Sequence, residues 1–386
     1  MVKYEFRAPE VIVTGLDCLE SLGEHIKKYG NKALIVTDEI MVKVGLTNRV
    51  ASLLMAQKLE CEIFAEVNAE PIDKHVEEGV KLFKKANCDL VIGLGGGSCL
   101  DAAKAIAFMA KNPGKIQDYM GLNKLTVPPA PIIAIPTTAG TGSEVTKVTI
   151  ITDTVNNVKM LIMDPALTPR VAIVDPLLTL SAPPSITAAT GIDALTHAIE
   201  AFISRKAQPL TDVLALSAIN RIYQNLRSAW SDGSNQEARN QVMIGALEAG
   251  LAFSNASVAL VHGMSRPIGA YFHVPHGVSN AILLSIVMEW TVGSVPEKFA
   301  QIARAMGEKV DGLPVTDAAM KAVEAVKRLC VDIKIPSINE LNISPERMKE
   351  LTGKMAEDAL MSRSPENNPR IPTKDEIVNL YMKLIE

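Results

Sequence analysis

From Lys32 to about Pro136, short apolar runs alternate with longer amphipathic stretches. "KALIVTD", "CEIFAEV", "CDLVIGLGGGS" and "PIIAIPTT" have the length and branched apolar content of strands, whereas "GLTNRVASLLMAQKL", "IDKHVEEGVKLFKKA" and "CLDAAKAIAFMAK" repeat apolar positions at helical spacing. That alternation predicts a mostly parallel sheet covered by helices. The stretch "VTIITDTVNNVKMLIMDPALTPRVAIVD" adds further strands and a hairpin around Asn156-Asn157. At "LLTLSAPPSITAAT" the character changes: Pro183-Pro184 breaks the chain, and beyond Ser185 the segments are long, Ala- and Leu-rich and helical. The expected fold class is therefore α/β plus all-α, with an α/β domain over residues 1–184 and an all-helical domain over 185–386.

Length and composition narrow the class. The chain has 386 residues, 48% hydrophobic and 21% charged, which suits two globular domains with ample core. A net charge of −4 gives no basic footprint, so no nucleic-acid partner is expected. No apolar run reaches membrane-spanning length and the start, "MVKYEFRAPEVIV", carries no secretory apolar region, so the expectation is a cytoplasmic protein with no membrane association. Cys18, Cys61, Cys88, Cys99 and Cys330 are scattered with no CxxC pair and read as reduced thiols.

The candidate chemistry is concentrated in the helical half. Asp193 and His197 stand in "ATGIDALTHAIEAF", which has no Gly or Pro after Gly191 and reads as a helix, so the two share one face. His262 lies in the apolar helical stretch "SNASVALVHGM", and His276 in "HVPHG", where Pro275 and Gly277 are expected to bend the chain and turn an imidazole back. Each histidine alone fits a hydrogen-bonded core residue, and Asp193 with His197 fits a helix ion pair. Together, one carboxylate and three imidazoles suit iron(II) or zinc better than calcium or magnesium.

The α/β half offers two polar loops after consecutive predicted strands. "VIGLGGGSCLDAAKAI" puts Gly93, Gly95, Gly96 and Gly97 between a strand and a helix, the arrangement in which backbone N–H groups and the helix dipole receive a phosphate. Ser98 stands where the usual dinucleotide fingerprint has its last glycine, so a tight structural turn is the alternative. "PTTAGTGSEVT" supplies the hydroxyls of Thr137, Thr138, Thr141, Ser143 and Thr146. Asp38, ending "ALIVTD", either accepts the ribose hydroxyls of NAD or caps a helix beginning near Glu39. In the first case two unit charges about 4 Å apart, at an intermediate dielectric, would oppose an NADP phosphate by roughly 4 kcal/mol. Lys159 reads as a solvated strand residue or a cation near the nucleotide.

The set "GGGSCLDAAKAI", "IPTTAGTGSEVT", "ATGIDALTHAIE" and "LVHGMSRPIGAYFHVPHGVSNAILL" resembles the iron-containing (group III) alcohol dehydrogenases, in order and over nearly the whole chain. The resemblance implies a dehydroquinate synthase-like fold with a nucleotide-binding α/β domain, a helical domain and an active site in the cleft between them. It implies NAD and iron(II), zinc being possible, as cofactors, and a homodimer or higher homo-oligomer acting on small alcohols, diols or aldehydes. By the same resemblance Asp193, His197, His262 and His276 are metal ligands. Gly96, Gly97, Ser98, Thr137, Thr138, Thr146, Lys159 and Leu178 line the cofactor, Asp38 favours NAD, and Phe253 lies in the substrate pocket.

Two positions depart from the pattern. Many relatives carry a histidine four residues after the one matching His262, often given a part in proton relay; here it is Arg266, which cannot act as a base. Proton exchange would then pass through the nicotinamide ribose, water or His273, which also fits a surface loop. Arg266 would either recognise an acidic aldehyde bearing a carboxylate, phosphonate or sulfonate, or, as the favoured expectation, pair with a protein acid such as Glu70. Glu70 itself replaces an asparagine common in relatives. A non-redox lyase needing NAD and metal on the same fold is the other alternative, along with a binding or structural protein that keeps the fold without activity.

Overall fold

A computed structural model describes residues 3–156 and 158–385. The chain divides into two compact units, one comprising Arg7–Leu180 and the other everything from Ser181 onward together with the short segment before Arg7.

In the first unit, strands β1 (Val11–Thr14), β2 (Lys32–Val36), β3 (Glu60–Phe64), β4 (Leu90–Gly95), β6 (Ile132–Pro136) and β9 (Val171–Val174) form a six-stranded sheet in the order β1-β9-β6-β4-β2-β3. Every pairing in it is parallel. Successive residues of β2 serve opposite faces: Leu34 and Val36 pack with Phe64, Val76, Phe83 and Ile106, while Ala33 and Ile35 pack with Leu22, Val50 and Leu54. Burial on both faces explains why these strands read as continuous apolar runs rather than as alternation. The covering helices are α1 (Leu22–Ile26), α2 (Glu39–Lys43), α3 (Leu46–Ala56), α4 (Asp73–Lys85) and α5 (Gly97–Met109). A small second sheet joins β5 (Gly121–Leu122), β8 (Val158–Met163) and β7 (Val148–Asp153). Antiparallel pairing of Asp153 with Val158 makes the expected hairpin, whose Asn157 lies outside the described residues.

The second unit is helical: α6 (Pro184–Ile203), α7 (Pro209–Ser231), α8 (Gln236–Ala256), α9 (Leu260–Phe272), α10 (His276–Thr291), α11 (Pro296–Ala305), α12 (Val315–Asp332), α13 (Pro345–Met361) and α14 (Lys374–Met382). Proline at the first position of α6 and of α7 starts each helix where its missing N–H is no loss. Gly191 lets α6 lie close to α7, since a Cβ there would come within 2.3 Å of Leu226. Among the described residues no single helix is long and apolar enough to cross a membrane.

Two local expectations need correction. The apolar stretch from Ser254 is not one helix, because α8 ends at Ala256 and α9 begins at Leu260 after Ser257 takes a φ of 68°. Tertiary bonds hold that break: Ser204 Oγ donates to the Ala256 carbonyl, and Asn367 Nδ2 to Ser257 Oγ and the Val258 carbonyl. Gly277 does not bend the chain. It is the second residue of α10, and its missing side chain lets that helix meet the Ala189 carbonyl, 2.3 Å from where a Cβ would stand.

Candidate active site

The helical unit builds a cluster of acceptors from three helices. Asp193 on α6 is 3% exposed, and His262 on α9 is likewise 3% exposed. Pro275 precedes α10 and places His276 at its first residue. Asp193 Oδ1 lies 3.5 Å from His262 Nε2, 3.7 Å from His276 Nε2 and 3.9 Å from His197 Nε2. The ligand atoms of Asp193, His262 and His276 all fall within 4.8 Å of one another. His197 stacks between neighbours, its ring 4.1 Å from that of Phe253 and 4.5 Å from that of His262.

Charge is balanced around this point. Burial works against the Asp193 carboxylate, but the His197, His276 and His262 imidazoles outweigh it and hold the group well below the usual carboxylate range. Burial would likewise lower His262, yet Glu200 and Asp193 raise its basicity above the ordinary imidazole value. His276 keeps 44% of its side chain exposed, so the cluster is open on that side.

Two residues that the sequence reading did not single out complete the cluster. Glu200, one turn beyond His197 on α6, is 1% exposed and its Oε2 lies 2.6 Å from His262 Nδ1. The same carboxylate accepts the backbone N–H groups of Ala259 and Val261. Asn280, one turn beyond His276 on α10, is fully buried; its Nδ2 lies 2.6 Å from Asp193 Oδ1, 3.1 Å from His262 Nε2 and 3.2 Å from His276 Nε2. An amide nitrogen has two hydrogens and here meets three acceptors, so the cluster has more lone pairs directed inward than the amide can satisfy. Ligands about 2.1 Å from a common tetrahedral centre stand roughly 3.4 Å apart, close to the spacings around Asp193 Oδ1. The residues therefore fit a divalent transition metal.

The α/β unit presents its two loops at adjacent strand ends. Gly96 caps α5, Gly97 and Ser98 open it, and Thr137 N donates to the Gly95 carbonyl, joining the loop after β4 to the loop after β6. A Cβ on Gly97 would stand 2.7 Å from the Thr141 side chain, so glycine lets the loops meet without displacing that threonine. Thr138 is half-buried beside Gly96. Thr146 is buried, and Lys104 Nζ donates to its hydroxyl and its carbonyl and to the Val148 carbonyl. Leu178 is buried in the core beneath the sheet. Asp38 does cap α2, with Oδ1 accepting from Met41 N, while its Oδ2 faces the Cys99 thiol at 3.5 Å.

The remaining expectations divide. Lys159 is paired, its Nζ 2.6 Å from Glu70 Oε1. Glu70 is thus engaged by Lys159, and Arg266 has a different partner, the Ser364 hydroxyl at 3.2 Å. Each of these contacts lies within its own unit: Lys159 with Glu70 in the first, Arg266 with Ser364 in the second. His273 is exposed and ends α9 in the left-handed region with a φ of 54°.

Family comparisons agree with this arrangement. Residues 9–176 match the model for iron-containing alcohol dehydrogenase, and residues 187–385 the model for the C-terminal part of the Fe-containing alcohol dehydrogenase family. A 1,3-propanediol dehydrogenase of Citrobacter freundii is 40% identical over 382 residues, 98% of each chain. An NAD-dependent methanol dehydrogenase of Bacillus methanolicus is 39% identical over 377 residues, 97% of this chain and 98% of that one. A crystal structure of a 1,3-propanediol oxidoreductase superposes with a TM-score of 0.96 at 39% identity, covering 99% of this chain and 100% of the other.

Proposed function

The chain belongs to the iron-containing alcohol dehydrogenase family and is a metal-dependent, NAD-linked oxidoreductase of alcohols and aldehydes, and on that premise we propose which of its residues perform the reaction. Asp193, His197, His262 and His276 would hold iron(II), the metal its family uses. The observation that carries this reading is the convergence of Asp193 Oδ1 and the Nε2 atoms of His262 and His276 on one amide nitrogen of Asn280. When bound, iron supplies Lewis acidity to the substrate oxygen and the nicotinamide exchanges the hydride.

The protein's own groups bind and orient. Gly96, Gly97 and Ser98, at the start of α5, would receive the cofactor phosphates, where backbone N–H groups and the helix dipole favour negative charge. Thr137, Thr138 and Thr146 would line the same loop, Leu178 would support it and Lys159 would lie near the nucleotide. Asp38 Oδ2 lies outside the cap contact and accepts from the Cys99 thiol at 3.5 Å, a single long contact that leaves lone-pair capacity for ribose hydroxyls. Phe253, stacked on His197, would form a wall of the substrate pocket. His273 is exposed and would exchange the alcohol proton with solvent. Scattered unpaired thiols support a cytoplasmic setting, and a homodimer or higher homo-oligomer follows from the family resemblance. The two units would serve as the NAD-binding domain and the metal and substrate domain.

Iron(II)-reconstituted protein should form NADH from small alcohols or diols and consume it with small aldehydes, read by NADH absorbance. Fully loaded protein that turns over none of them would refute the assignment.

A further inference from the structure

We propose that Arg266 forms an anion-binding subsite beside the acceptor cluster, so that the preferred aldehyde or alcohol carries a carboxylate, sulfonate or phosphonate on the end away from the reacting carbon. The inference rests on the oxidoreductase reading above and names its substrate class.

Helix α9 carries both groups. Arg266 stands one turn after His262 and extends toward the short helical turn Ser364–Asn367, where its Nη1 donates to Ser364 Oγ at 3.2 Å. That turn is pressed against α9 at Gly263, where a Cβ would come within 2.8 Å of Pro365. The guanidinium is thus anchored by a neutral hydroxyl. Among the described residues no carboxylate oxygen lies within the 4.0 Å of an ion pair, although the side chain is largely surrounded by protein. A guanidinium has five N–H donors and its charge is expensive to bury unpaired. Burial already pulls its pKa down, against an opposing pull from the Glu200 charge. Glu200 is committed elsewhere, its oxygens taken by Ala259 N, Val261 N and His262 Nδ1.

Charge counting points the same way. The carboxylates of Asp193 and Glu200 balance one divalent ion, which leaves the Arg266 charge without a counterpart in the loaded site. Arg266 keeps partial exposure, the cluster is open at His276, and the Arg266 charge acts on that imidazole, so a ligand entering there meets a cation. A planar fork of donors matches a carboxylate or sulfonate in two-point contact, which an imidazole at this position would not supply.

The test compares 4-oxobutanoate with hexanal on iron(II)-loaded wild type, Arg266→Gln and Arg266→Lys, all with NADH. Wild type should prefer 4-oxobutanoate, and Arg266→Gln should lose about tenfold to a hundredfold more kcat/KM on the acid than on hexanal, chiefly through KM for the acid. Arg266→Lys keeps the charge without the fork and should fall between; it also serves if the glutamine variant fails to fold. A second readout needs no turnover: succinate titrated into metal-free wild type should shift NMR resonances of helix α9, and these shifts should vanish in Arg266→Gln and weaken in Arg266→Lys. Equal losses on both aldehydes, a wild type that favours hexanal, or succinate shifts that persist undiminished in Arg266→Gln would overturn the subsite. A loaded wild type that reduces neither aldehyde would refute the oxidoreductase reading instead, and the succinate titration would still decide whether Arg266 binds anions.

Discussion

Glu200 Oε2 lies 2.6 Å from His262 Nδ1 while the opposite ring nitrogen, Nε2, lies 3.5 Å from Asp193 Oδ1. One carboxylate therefore sets which nitrogen of His262 carries the proton and leaves the other as a lone-pair donor facing the cluster. Partners of this kind tune metal affinity about 10- to 100-fold. Glu200→Gln should weaken iron(II) or zinc binding by that order in chelator competition. An unchanged dissociation constant would mean that Glu200 serves only to receive the N–H groups at the start of α9.

His197→Ala and His262→Ala should each lose bound metal and turnover while remaining folded. Water does not replace an imidazole with the same affinity. Elemental analysis with circular dichroism checks both halves of the expectation. Unchanged metal content and rate in the two variants would remove the metal centre as described.

Asp38 holds a helix cap with one oxygen and presents the other toward Cys99, so the two roles expected of it occupy different atoms. Asp38→Asn keeps a good cap and removes the charge, whereas Asp38→Gly removes both. Both variants should shift kcat/KM toward NADP relative to NAD, the glycine variant at a cost of only roughly a few tenths of a kcal/mol in stability. A wild type that already favours NADP would leave Asp38 with the cap alone.

Glu144 is 4% exposed, and burial pushes its carboxyl up to about 7. A carboxyl whose folded value exceeds its unfolded one costs stability as the pH climbs from its ordinary value near 4.5 through about 7. Glu144→Gln should therefore change Tm little at low pH and raise it above neutrality, by up to about 3 kcal/mol in unfolding free energy. Thermal melts across that range decide it; a wild-type advantage at pH 8 would show that the ionised carboxylate is held by Lys104.

What was legible in the sequence was local. The doubly buried strands β2, β4 and β6 announce themselves as apolar runs, and Asp193 and His197 share a helical face by spacing alone. Glu200 was legible by the same rule, for positions 193, 197 and 200 form one stripe, and an acid inside the apolar run "AIEAF" needs a partner. Asn280 follows His276 by the same interval. Strand β1 was missed because its four residues are ordered by pairing with β9, far along the chain. The break between α8 and α9 was missed because it has no proline or glycine and is enforced by Glu200, Ser204 and Asn367. The Lys159–Glu70 pair was beyond reach for a related reason: which acid a cation finds is decided by the fold.

The contact of Gly277 with the Ala189 carbonyl bears on how this scaffold can acquire new substrates. Helices α6 and α10 touch there through bare backbone, so the spacing between Asp193 and His276 has little slack. Directed evolution that randomises 189 or 277 would scatter the ligand positions along with any gain in pocket shape. Phe253 and Arg266 are different, since each contributes a side chain that can change size or charge while the helices stay in place. Libraries confined to those two positions should therefore yield altered specificity in variants that still hold metal, whereas libraries extended to the helix contact should be dominated by proteins that bind none.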